Sequence, residues 1–180
     1  MPNIINKHIE FSTPWFKLIK KTVTGMSGAN TSEEYYSILP DDYVSILAVT
    51  RDLKVPLVRQ YRPAIEDYSI ELPSGHVDQN ETPEQAIKRE LLEETGYMAL
   101  EIELLGTLSP DTGRKSNRLW CFFSSKIEKH AEVGDNEGII PELYSLSGIR
   151  SLMDKGSFDH ALNLAVFTLA ELKGKISFTK

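Results

Sequence analysis

The chain has 180 residues, 41% of them apolar and 26% charged, and its formal net charge is −6. That length fits one domain that buries a core without staples, and the single cysteine excludes an internal disulfide. The acidic balance argues against a surface that tracks nucleic-acid phosphates, and no run of eighteen apolar residues is present that would span a bilayer. The N-terminal stretch Met1 to Lys7 lacks the long apolar core of a secretory signal, so the expected location is the cytoplasm.

Short runs rich in β-branched and aromatic residues predict strands over Phe16 to Val23, Tyr35 to Leu39, Tyr43 to Thr50, Val55 to Tyr61 and Tyr68 to Leu72. Turn-forming residues such as Pro40-Asp41-Asp42 separate them, which favours antiparallel connections. Next comes a strongly marked helix. Thr82 stands where an N-cap belongs, Pro83 at the first helical position, Gln85 where it completes a capping box, and Gly96 where a left-handed C-terminal residue ends the helix. Further strands are expected over Ile102 to Leu108 and Leu119 to Ser125, flanking the polar loop Ser109 to Asn117, a candidate substrate contact. Cys121 lies in the second of these apolar runs and reads as a buried, inert thiol. From His160 to Leu172, the residues Leu162, Ala165, Val166, Leu169 and Leu172 share one helical face and predict a helix packed on a core. Strands, helix, strands and helix in that order point to an α/β sandwich of layers.

The chemistry gathers between Gly75 and Gly96. At 3.6 residues per turn, Glu90 and Glu94 stand one above the other and Glu93 lies beside them. Like charges so spaced destabilise a helix by about 0.2–0.5 kcal/mol per pair, so the cluster makes best sense with a multivalent cation. All-oxygen ligation favours Mg²⁺, or Mn²⁺, over zinc. Gly75 permits backbone geometry that a Cβ resists and can present the carbonyl of Ser74 to that cation. Arg89, four residues before Glu93, can hold its carboxylate in place.

The spacing Gly75, Glu81, Arg89-Glu90, Glu93-Glu94, Gly96 resembles the Nudix box, with its signature positions filled. The one departure is Tyr97, where the family usually carries a bulky aliphatic residue. The resemblance implies an α/β fold of the Nudix type, an α/β/α sandwich with a mixed sheet, here with a small N-terminal antiparallel sheet. It also implies Mg²⁺-dependent hydrolysis of a nucleoside diphosphate linked to another moiety. Glu90 and Glu94 would be metal ligands, Glu93 a ligand or catalytic support, Arg89 an organiser, and Ser74 a backbone ligand.

Beyond the box, Val58-Arg59-Gln60-Tyr61-Arg62 and Glu71-Leu72-Pro73-Ser74-Gly75 are similar to the strand pair that leads into it in ADP-ribose pyrophosphatases and related nucleoside-diphosphate-sugar hydrolases. Ser109-Pro110 resembles a Ser-Pro pair of that branch, a few residues earlier than usual. Residues Gly134 to Ile139 resemble the loop that supplies a late carboxylate, making Glu137 a metal ligand or base and Asp135 the alternative base. Arg62 is the candidate clamp for phosphate or terminal sugar, because its planar fork engages two oxygens. Glu71, Arg59, Arg114 and Arg118 are further candidate substrate contacts. By the same resemblance, residues 1–40 form a strand region that joins two subunits of a homodimer, and residues 41–180 form the hydrolase domain. The expected partner is a small nucleotide sugar, with no nucleic acid and no membrane. Other readings stay open: a catalytically silent nucleotide-sugar sensor, or an enzyme acting on NADH, diadenosine polyphosphates or oxidised nucleoside triphosphates. Base and sugar preference, and the number of metal ions, are not legible in the residues.

Overall fold

The computed structural model describes residues 1–27, 31–131 and 138–178. The chain divides into two compact units, Met1–Asp42 with Ser109–Arg118, and Tyr43–Leu108 with Leu119–Lys180. The polar loop Ser109 to Asn117 therefore shares a unit with the N-terminal strands.

In the first unit, β1 (Asn3–Ser12), β2 (Phe16–Thr24) and β3 (Ser32–Pro40) form an antiparallel sheet in that order. Thr13 makes the β1–β2 turn, its Oγ1 accepting from the N–H groups of Trp15 (3.1 Å) and Phe16 (3.0 Å). The polar loop joins the outer side of β3: Ile38 N–H donates to Arg114 O (2.8 Å) and Ser116 N–H to Ile38 O (3.1 Å). Those backbone groups of an edge strand are thereby satisfied. Strand β1 is not among the expected elements. All ten of its residues are exposed, so no buried face imposes the two-residue alternation that marks a strand.

The second unit is organised by a mixed sheet in the order β7 (Ser74–His76), β4 (Tyr43–Ala48), β10 (Leu119–Ser124), β9 (Glu103–Leu108). Strands β4 and β10 run parallel, and the other pairs antiparallel. Alternation along β4 decides what lies on each side. Val44, Ile46 and Ala48, with Phe122, pack on Ala86, Ile87 and Leu91 of helix α1 (Pro83–Thr95). Leu47, with Leu119, Cys121 and Phe123, packs in a cluster with Val166, Phe167 and Ala170 of a second long helix, Ala161–Leu172. Full burial of each Val, Leu, Ile or Phe among them contributes about 1.5–3 kcal/mol, and a helix on either face gives the expected α/β/α sandwich. Burial pushes the Cys121 thiol up to about 12, which keeps it an inert core residue.

A second antiparallel sheet places β5 (Lys54–Arg62) between β6 (Asp67–Glu71) and β12 (Ile140–Ser145). The pair β8 (Tyr97–Ala99) and β11 (Ile127–Lys129) completes the strands described. Helix α2 (Leu146–Asp154) follows β12 directly, with Ser145 Oγ capping it from Gly148 N–H (3.0 Å), and the Ala161–Leu172 helix is α3. Strands β7, β8, β11 and β12 and helix α2 are additions to the expected elements. The α3 face is also corrected. Its buried residues are Asn163, Val166, Phe167 and Ala170, whereas Leu172, expected inside, is 78% exposed. A polar residue sits on the inward stripe, so ranking positions by hydrophobicity rotates the helix. Among the described residues no helix is long and apolar enough to cross a membrane.

Candidate active site

Helix α1 is fixed at both ends by local chemistry. Thr82 Oγ1 accepts from Gln85 N–H (3.3 Å) while the Gln85 side chain accepts from Thr82 N–H (2.8 Å), and Gly96 takes φ 72° with its N–H on Leu92 O. Ahead of it, β7 pairs with β4 through Ser45↔Ser74 and Val44↔Gly75. Residues 74–75 are thus held against the helix that carries the carboxylates.

The three glutamates sit at different depths. Glu94 continues the inward stripe of Ile87 and Leu91 and is only 7% exposed. Glu90 is half-buried, and Glu93 has a side chain 56% exposed. Ser74 N–H donates to Glu94 Oε2 (3.0 Å), and the Glu90 carboxylate occupies the space beside Gly75. A Cβ on that glycine would stand 2.0 Å from Glu90 Oε1. The missing Cβ leaves the room that the Glu90 carboxylate occupies, which refines the expectation that the glycine serves an unusual backbone conformation.

Burial pushes the Glu94 carboxyl up to about 8; the Ser74 N–H works against this, and the nearby charge of Glu90 adds to it. Burial raises Glu90 as well, with Arg89 opposing. Two crowded, desolvated carboxylates disfavour their own ionisation until a cation offsets the charge. Among the described residues, no group of three His, Cys, Asp or Glu side chains is drawn together closely enough to hold a metal. Arg89 stands among them instead. Its Nε and Nη2 bind Glu81 (3.0 and 2.9 Å), and its Nη1 reaches Glu90 Oε1 (2.8 Å) and Glu93 Oε2 (3.3 Å). The donors nonetheless suit a hard divalent cation: they are all oxygen, and two are desolvated.

A second polar cluster lies on β5 and β6. Glu71 is 2% exposed, and Arg62 engages it with both prongs, Nε on Oε1 (2.8 Å) and Nη2 on Oε2 (2.7 Å). Burial works to raise the Glu71 carboxyl, but Arg62 outweighs it and holds the group below its ordinary range. Arg59 is three residues from Arg62 and so projects to the opposite face of β5. There it binds Glu142 (2.9 Å) and lies over the Tyr68 ring at 5.3 Å.

The candidate residues thus separate. Arg89 bonds Glu90 and Glu93, Ser74 bonds Glu94 on the same helix, Arg62 pairs with Glu71, and Arg59 joins none of these. Arg118 and Arg114 belong to the N-terminal unit, where Arg118 Nη1 donates to Ser109 Oγ (2.7 Å) and Arg114 contributes its carbonyl to Ile38. Glu137 and Asp135 lie outside the described residues.

Three residues not singled out from the sequence complete the surroundings. Tyr43 OH donates to Ser74 Oγ (3.0 Å). Asn163 Oδ1 accepts from Leu72 N–H (2.9 Å). His160, the residue before α3, brings Nδ1 to 3.8 Å from Glu71 Oε2. A polar residue on an otherwise apolar helical face was the available signal for Asn163; His160 and Tyr43 carried none.

Comparison with known proteins adds the following. A family model described as NUDIX domain matches residues 40–154. The chain is 28% identical over 127 residues to a methanol dehydrogenase activator of Bacillus methanolicus, covering 68% of this chain and 69% of that protein. It is 32% identical over 97 residues to an ADP-ribose pyrophosphatase of Bacillus subtilis (strain 168), where the match spans 52% of each chain, about half of that relative's length. A crystal structure of an ADP compounds hydrolase superposes with a TM-score of 0.80 at 23% identity, covering 97% of this chain and 95% of that one. At that identity the likeness speaks for the fold.

Proposed function

The chain belongs to the NUDIX hydrolase family, and from that premise we propose that it hydrolyses the pyrophosphate bond of ADP-ribose or a related nucleoside diphosphate sugar. The products are a nucleoside monophosphate and a sugar phosphate. The observation that carries this reading is the Glu90 carboxylate lodged in the space of the missing Gly75 Cβ, on the same helix as the buried Glu94. Such a pair of desolvated oxygen donors has little purpose without a cation. The choice of substrate class rests on the relative named an ADP-ribose pyrophosphatase.

The residues that would hold Mg²⁺ or Mn²⁺ are Glu90, Glu93 and Glu94, with the backbone of Ser74 and with Glu137. When bound, the ion would offset pyrophosphate charge and make a water more acidic. The chain's own groups do the rest. Arg89 restrains Glu90 and Glu93 against Glu81, so the carboxylates are ordered before substrate arrives. Arg62 keeps its guanidinium plane fixed on Glu71 and retains Nη1 for a substrate oxygen. Glu137, or Asp135 in its place, accepts the proton of the attacking water.

The same reading gives the N-terminal sheet a role between subunits of a homodimer. In support, Ile4, Ile5, Ile9, Phe11 and Trp15 are all large, apolar and exposed, as surfaces covered by a partner are. Light scattering tests this, with a monomer at micromolar concentration as the contrary result.

A panel of ADP-ribose, GDP-mannose, ADP-glucose, UDP-sugars, NADH, diadenosine polyphosphates and nucleoside triphosphates tests the activity, with Mg²⁺ present and products resolved by chromatography. Preferred release of nucleoside monophosphate from ADP-ribose or a nucleotide sugar supports the proposal. Binding without turnover of any member favours a sensor instead.

A further inference from the structure

His160 stands at the junction between α3 and the β5–β6 pair. It is the N-cap residue of α3, yet its side chain makes no capping hydrogen bond. One turn later Asn163 fastens the helix to the residue that follows β6 by accepting from Leu72 N–H at 2.9 Å. That bond fixes the register of the first turn of α3 against residues 71–72, and it sets the His160 ring beside the Glu71 carboxylate. His160 Nδ1 is buried and has no hydrogen-bond partner among the described residues. The polar group facing it is Glu71 Oε2, at 3.8 Å.

Two chemical facts decide what this contact is. An unprotonated Nδ1 would aim its lone pair at a carboxylate oxygen and repel it, whereas a protonated Nδ1 donates to that oxygen after a small movement of the ring. Buried polar atoms are almost always paired, and Glu71 Oε2 is the acceptor at hand. Oε2 also receives Arg62 Nη2 at 2.7 Å, so one oxygen joins the histidine to the arginine. The carboxylate of a glutamate turns about a broad terminal torsion, and any turn of Glu71 would carry the Arg62 plane with it. The Ser69 side chain already bonds Glu71, and a donor from α3 on Oε2 adds a restraint on that turn from a second element.

We propose that His160 is a positioning residue for an anion clamp, its Nδ1–H holding Glu71 so that Arg62 presents its unpaired N–H groups at a fixed angle to a substrate phosphate. The inference rests on the reading of Arg62 as the phosphate contact. His160 itself touches no substrate. Its removal leaves the charges of Arg62 and Glu71 in place and loosens only their orientation.

The test uses four full-length proteins: wild type, His160→Ala, Glu71→Gln and the double variant, each checked for cooperative thermal unfolding. Steady-state hydrolysis of ADP-ribose is followed with Mg²⁺. His160→Ala is expected to raise KM about tenfold, the scale of losing a hydrogen bond to a charged group, with kcat within about twofold. In the Glu71→Gln background the same substitution should change KM by less than about twofold, because the route to Arg62 is already broken. An unchanged KM, a fall in kcat alone, or an equal effect in both backgrounds would overturn the proposal while leaving the hydrolase reading intact. If wild type does not hydrolyse ADP-ribose, the same kinetics are run on the panel member it does hydrolyse; if it hydrolyses none, the hydrolase reading fails by itself. Calorimetric affinity for ADP then decides the role of His160 on the same four proteins: weakening of about tenfold that appears only with Glu71 present supports it. Equal affinities, or no ADP binding by wild type, overturn it.

Discussion

The carboxylate of Glu90 and the α-carbon of Gly75 are in such close approach that a methyl group on Gly75 would stand 2.0 Å from Glu90 Oε1 and 2.2 Å from Cδ. The atoms met are all the terminal carboxylate of a flexible side chain, so the glutamate would swing away from β7 rather than the backbone give. Gly75→Ala is therefore expected to displace the Glu90 carboxylate at a cost of about 1 kcal/mol or less in stability, and to remove most of the hydrolytic activity. Chemical denaturation beside an activity assay checks both.

Arg89 hydrogen-bonds three carboxylates and lies 3.6 Å from a fourth, Asp78, and a planar fork is what permits this. Arg89→Lys keeps the charge and loses the fork. It is expected to reduce activity nearly as far as Arg89→Ala, by about tenfold or more, the usual penalty for losing a partner that orients a metal ligand. Recovery of wild-type rate by the lysine variant would show that charge alone suffices.

Cation binding should stabilise the protein, because it relieves the burial of Glu90 and Glu94. Saturating Mg²⁺ is expected to raise Tm by about 5 °C, the scale for a ligand near a hundred times its Kd on a chain of this size. Glu94→Gln should abolish the rise. Thermal scans with and without Mg²⁺ measure it.

Acid stability turns on Glu71. Its carboxyl is held below the ordinary 4.5 in the folded chain: burial opposes this, and the Arg62 bond outweighs burial. A depressed folded value means that the pair's contribution is present above the unfolded range near 4.5 and is lost as pH falls through the folded value. Wild type should thus lose more stability than Glu71→Gln between neutral pH and the region below 4.5. Urea denaturation at stepped pH reads the difference, and parallel curves would contradict it.

Features set by neighbours in the chain were legible, and features set by depth were not. Thr82, Pro83, Gln85 and Gly96 act within one helix, so α1 and its caps follow from the residues alone. The same spacing puts Glu90, Glu93 and Glu94 on one side of the helix. It is silent on Glu94 lying under β7 while Glu93 faces solvent, because that depends on where the β4–β7 pair sits. Strand β1 escaped notice because pairing with β2 holds it, not a buried face. The turned face of α3 has its cause in Asn163, whose partner, the Leu72 N–H, belongs to a distant stretch of chain. His160 escaped for the same reason, since its meaning comes from Glu71.

The most direct test of the whole account is the rate of ADP-ribose hydrolysis as Mg²⁺ is titrated, measured by phosphorus NMR for wild type, Glu90→Gln and Glu94→Gln. The account predicts metal-dependent appearance of AMP and ribose phosphate with wild type, and a loss of about 100-fold or more in each variant, since each change takes away a charged oxygen donor. Metal-independent turnover, or variants as fast as wild type, would contradict it.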